Sequence, residues 1–96
     1  MDMALKQEQA ETLALGTLEW IANDPEVTGQ FLGWSGASID DLRNAGSSPE
    51  LMLAILEFIL LQDDWVIGAS EHLGLPPEKF ASIKFALPGG EEAHWT

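Results

Sequence analysis

Three side chains combine a reactive type with a suggestive position: Glu19, Glu57 and His72. The two glutamates occupy matching places in two similar stretches, "LALGTLEWI" from Leu13 and "LMLAILEFI" from Leu51. Glu57 is also the one charge in an otherwise apolar run, Leu51 to Leu61. A carboxylate buried in such a helix must find a partner or stay protonated. Two facing carboxylates could do acid–base work or hold a metal. A metal needs more ligands than this pair. The simpler expectation is that each helix keeps one polar position at its rim, satisfied by solvent, a lysine or Arg43. His72 falls in the last turn of an expected helix, where an imidazolium would meet the negative dipole end.

Other matches are weaker. In "GWSGA", Gly33 and Ser35 fit Gly-x-Ser-x-Gly, but Ala37 stands where the last glycine belongs. That motif needs a strand before the serine, whereas here a helix precedes it. "EEAH" gives Glu91 and His94 the spacing of carboxylate-bundle metal sites, but those sites need inward-facing residues on long helices. The chain has no cysteine, so disulfides, zinc-thiolate sites and cysteine nucleophiles are excluded. No phosphate loop, zinc motif or calcium loop is present. No cofactor is indicated.

Sixteen acidic residues face four basic ones, for a formal charge of −12. Phosphate backbones demand the opposite sign, so direct nucleic-acid binding is not expected. A helix-turn-helix reading of residues 38–58 fails because residues 47–62 contain no Lys or Arg. The acids are spread along the chain, as on a solvated surface or on an acidic face for a basic partner. "MDMALKQEQAE" has no basic segment followed by an apolar run, so it is not a secretory signal. The run from Leu51 is too short to span a membrane. The expectation is a soluble cytoplasmic protein.

Helix punctuation organises the elements. A first helix is expected from about Met3 to Asn23. "NDPEV" restarts the chain as a second, with Asp24 as cap and Pro25 in the first position, stopped by Gly36. Ser38 and Asp41 form a box-like third start. Ser48 and Pro49 open a fourth helix, over 48–62. A fifth runs from Asp63–Asp64 to Gly74, and a sixth from "PPEK" to about Leu87. Each half then reads long helix, short helix, glycine stop, short helix. This pattern predicts an all-α domain: a compact six-helix bundle of two similar three-helix halves around the apolar fourth helix, with the first helix as its looser counterpart. The compact part is expected over residues 4–88, with 89–96 a flexible tail.

The residues "ETLALGTLEWIANDPEVTGQFLGWSGASIDDLR", "LMLAILEFILLQDD", "GLPPEKF" and "ALPGG" resemble a family of small alphaproteobacterial proteins, domain of unknown function 3572. The resemblance covers roughly Glu11 to Gly90. It implies a compact helical protein of the bacterial cytosol and carries over no activity, catalytic residue or binding residue.

The functional expectation is a non-enzymatic protein–protein interaction module, as homodimer or adaptor. Its basis is the apolar fourth helix together with four tryptophans, a residue type favoured at interface hot spots. Trp34, Trp65, Met52 and Phe58 are its candidate surface. The alternatives are a small enzyme or metal protein using Glu19, Glu57 and His72, and an acidic mimic or sequestering partner for a basic protein.

Overall fold

In the computed structural model, which describes residues 5–90, six α-helices follow one another. They are α1 (Gln7–Ala22), α2 (Pro25–Ser35), α3 (Ile39–Arg43), α4 (Pro49–Ile59), α5 (Asp63–Leu73) and α6 (Lys79–Ala86). A short 3-10 turn, Ala45–Ser47, separates α3 from α4. There is no strand among the described residues, and none of their helices is long and apolar enough to cross a membrane.

Local chemistry sets most of these boundaries. The Asp24 carboxylate accepts the N–H groups of Glu26 at 3.0 Å and Val27 at 3.3 Å, with Pro25 in the first turn of α2. Ser38 and Asp41 satisfy each other's backbone N–H groups, at 3.1 and 2.9 Å, and so open α3. The Ser48 hydroxyl accepts the Leu51 N–H at 3.1 Å before Pro49 starts α4. Gly36 and Gly74 close α2 and α5 at φ 78° and 70°, a left-handed conformation in which a Cβ is strained. Asp24→Ala is therefore expected to lower stability by about 1 kcal/mol in urea denaturation, with no change of fold.

Three boundaries differ from expectation, the first being α4, which ends at Ile59 rather than 62. Lys6 is extended, its N–H donating to the Gln9 side chain at 3.0 Å, so α1 begins at Gln7 rather than near Met3. The α6 helix begins at Lys79, not at the prolines. Pro77 disfavours a helical Pro76, and the first backbone bonds into α6 run from Lys79 to Pro76 and from Phe80 to Pro77.

The apolar α4 helix is buried over most of its circumference. Leu51, Met52, Ile55, Leu56, Phe58 and Ile59 lie in the core, and Leu53 and Ala54 are half-buried. One narrow stripe faces outward: Glu50, Ala54, Glu57 and, in the following turn, Leu61, spaced at helical intervals. On one flank of the stripe, Leu53 is covered by Gly89 and Gly90. Gly90 is buried, so packing continues past residue 88, the expected limit.

The centre is shared. Both α1 and α4 pack against α2, α5, α6 and each other, so α1 is no looser than its counterpart. Small residues make this possible. Ala10 and Ala14 of α1 are fully buried, and a Cβ on Gly16 would come within 2.7 Å of Leu73 on α5. The reverse contact lies across the same interface, where the Trp20 ring occupies the space beside Gly68. The Thr28 hydroxyl donates to the Ile21 carbonyl at 2.7 Å and ties the start of α2 to the end of α1.

Candidate interaction surface

Phe58 is the hub of an aromatic cluster drawn from three helices. Its ring meets Phe31 of α2 edge-on at 5.1 Å and Trp34 of α2 at 5.6 Å. It also stacks against Trp65, in the first turn of α5, at 4.2 Å and 22°. Phe31 and Trp34 are themselves 6.4 Å apart. The cluster runs from core to surface. Phe31 and Phe58 are buried, Trp65 is half-buried, and Trp34 is 47% exposed. Leu61, one turn beyond Phe58, is 56% exposed.

A cleft of about 380 Å³ adjoins this cluster. It is lined by Ser35, Gly36 and Ala37 at the end of α2, by Asp41 and Asn44 at α3, and by Ser48, Glu50, Leu51 and Ala54 at the start of α4. Ser35 follows Trp34 in the chain, and Ala54 lies one turn before Phe58 on the same flank of α4. Cleft and aromatics therefore adjoin one another as a strip along α4, beside the C-terminal end of α2. No lysine or arginine lines the cleft. A second groove, apolar and of about 300 Å³, lies among Leu18, Ala22, Thr28, Ile39, Leu42 and Arg43.

Of the four residues expected on an interaction surface, Trp34 and Trp65 reach the surface. Met52 and Phe58 are 2% and 1% exposed and belong to the core of the single chain. They lie on the flank and inner side of α4, and only the narrow outward stripe escapes the neighbouring helices. Phe58 contributes indirectly, as the platform on which Trp34 and Trp65 rest. Phe31, not among those candidates, is the second buried member of the cluster; its place beside Trp34 at i, i+3 was the available signal.

The polar candidates separate. His72 Nε2 lies 3.5 Å from Glu19 Oε1, an ion pair only when the imidazole is protonated. Both side chains are exposed to solvent, so water competes for each. Glu57 is exposed on the outward stripe of α4 and is not buried in an apolar helix. The sequence match between Glu19 and Glu57 leads to two surface positions, and Glu19 meets His72 instead. The Ser35 hydroxyl accepts the Ala37 N–H at 3.1 Å at the C-terminal end of α2, where the turn out of the helix uses it. Glu91 and His94 lie outside the described residues, as does Trp95. Among the described residues, no three His, Asp or Glu side chains gather as a metal site would require.

No curated protein and no solved structure matches the chain. A family model does, over residues 7–90, which takes in every helix described above. Its description, protein of unknown function, names no activity, and the chain belongs to that family, DUF3572.

Proposed function

We propose that this chain is a non-enzymatic protein–protein interaction module whose contact surface is centred on Trp34 and Trp65. The observation that carries this reading is the aromatic cluster. A tryptophan half open to solvent rests on a buried aromatic platform, and Leu61 and a cleft continue the surface beside it. Isolated exposed apolar residues such as Phe85 and Ile67 are ordinary on any protein. A rigid aromatic anchor beside a concavity is the arrangement that interface hot spots favour. The bacterial cytosol is its proposed setting, on the family resemblance alone.

Photo-crosslinking in cells tests the reading. A benzophenone amino acid in place of Trp34 is expected to give discrete adducts, and the same group in place of Ser82, exposed on α6, is expected to give none. An adduct of twice the chain mass identifies a homodimer, and any other discrete mass an adaptor role. Equal or absent labelling at the two positions removes the proposal.

A further inference from the structure

Resting on that reading, we infer that the strip takes a basic amphipathic helix of a partner protein, seated with its apolar face on Trp34, Trp65 and Leu61. Three features of the strip select this occupant. The first is shape. The strip follows the whole of α4, whose 11 residues span about 16 Å. That length matches about three turns of a helix laid in a groove, read through anchors at i, i+3, i+4 and i+7.

The second is the alternation of chemistry along the strip. Asp41 and Glu50 stand at the cleft end, and Glu57 lies midway on the outward stripe. Asp63 and Asp64 precede Trp65 in the first turn of α5. Apolar contacts at Leu51, Ala54, Trp34 and Leu61 lie between these acids. A helix with an apolar stripe bordered by Lys and Arg answers both parts. Its apolar residues cover the aromatic anchors, and its cations meet carboxylates at the rim, where they set encounter rate and orientation.

The third concerns the competing occupant, a second copy of this chain. Each copy carries a formal charge of −12. A two-fold dimer through this strip would set its five carboxylates against the same five on the partner copy. Like charges juxtaposed across an interface oppose association, and no lysine or arginine lines the cleft to relieve them. The chain's charge thus disfavours self-pairing at this face and favours a cationic partner.

The test uses a synthetic tryptophan-free peptide of about 18 residues, with Leu and Phe at i, i+3, i+4 and i+7 and Lys or Arg between them. Its control is a scrambled peptide of identical composition. Binding is followed by the intrinsic tryptophan fluorescence of the full chain and by calorimetry at low and moderate salt. The amphipathic peptide is expected to bind at least about tenfold more tightly than the scrambled one, with a blue shift of the emission. Trp34→Ala is expected to weaken it by about thirtyfold, the scale of a hot-spot tryptophan. Glu57→Lys, an exposed position whose change leaves the core untouched, is expected to weaken it by about fivefold at low salt and less at high salt. Glu71→Lys, exposed on α5 outside the strip, is expected to leave it within about twofold.

Equal binding of the two peptides overturns the inference, as does an equal effect of Glu57→Lys and Glu71→Lys, since either would mean attraction to bulk charge alone. Crosslinking at Trp34 together with failure of the peptide keeps the interaction surface and removes the basic helix. An adduct of twice the chain mass replaces that helix with a second copy. Absence of crosslinks at Trp34 removes the broader reading itself.

Discussion

Phe58→Ala is expected to lower the unfolding free energy by about 3–5 kcal/mol, the range for a fully buried phenylalanine. Domains of this size are stable by only about 5–15 kcal/mol, so this change removes a large share of the total. The reason is the position of the ring. It touches aromatic side chains from α2 and α5 while sitting on α4, and so joins three helices through one side chain. Its removal leaves Phe31 and Trp65 facing a void that rigid rings fill poorly. Trp34→Ala, close by, is expected to have a smaller effect on stability, about 2 kcal/mol, because the ring is half in water already. Urea denaturation followed by circular dichroism compares the two. Equal losses would show that Trp34 contributes as much to the core as Phe58, and its role as a surface anchor would have to be given up.

The second large effect is expected at Gly68. A β-branched side chain there, Gly68→Val, should reduce stability by about 3 kcal/mol, at the upper end of overpacking effects. Helix propensity alone predicts the opposite sign, since valine is a better helix residue than glycine by a few tenths of a kcal/mol. Packing decides the outcome. The Trp20 ring lies where a Cβ on Gly68 would stand, and an indole cannot flex aside as a lysine tail can. Gly29, in the exposed part of α2 with open space around it, supplies the contrast. Gly29→Ala is expected to stabilise by about 1 kcal/mol. Thermal unfolding of both variants reads the two signs directly. In the double variant Trp20→Phe with Gly68→Val, the smaller ring should return part of the loss; additive losses would place the strain somewhere other than this contact.

Features governed by near neighbours in the chain were legible in the sequence. The caps at Asp24, Ser38 and Ser48, the prolines at 25 and 49, and the stops at Gly36 and Gly74 all act within about one helical turn, so residue type and order reveal them. What depended on distant partners was not. Glu19 and His72 are 53 positions apart, and nothing local indicates that they meet. Met52 and Phe58, named as candidates for an interaction surface on the helix expected at the centre of the bundle, are buried there. Glu50 and Glu57, two turns apart, mark the one outward line of α4, and its neighbours cover the rest of its apolar surface. Trp34 and Trp65 lie near helix ends, from which they could line a groove, but core packing accounts for them as simply from sequence alone. Their convergence on one phenylalanine required the tertiary fold. The pairing of Gly16 with Leu73 and of Gly68 with Trp20 had no signal in the sequence, because an interior glycine reads there only as a weak helix former.

The shared centre of the fold has a consequence for the chain during its synthesis. The α1 helix is made first, yet three of the helices it packs against, α4, α5 and α6, are made last. At about 5–20 residues per second, roughly 3–13 s pass between completion of Ala22 and arrival of Ala86. Until α4 emerges, the α1 face carrying Ala10, Ala14, Thr17 and Ile21 has only α2 among the helices to lie against, and its contacts with α5 and α6 come later still. A nascent chain that stalls before residue 79 therefore does not present a finished half-protein. It leaves the part of the α1 face that α6 would cover open to chaperones and proteases.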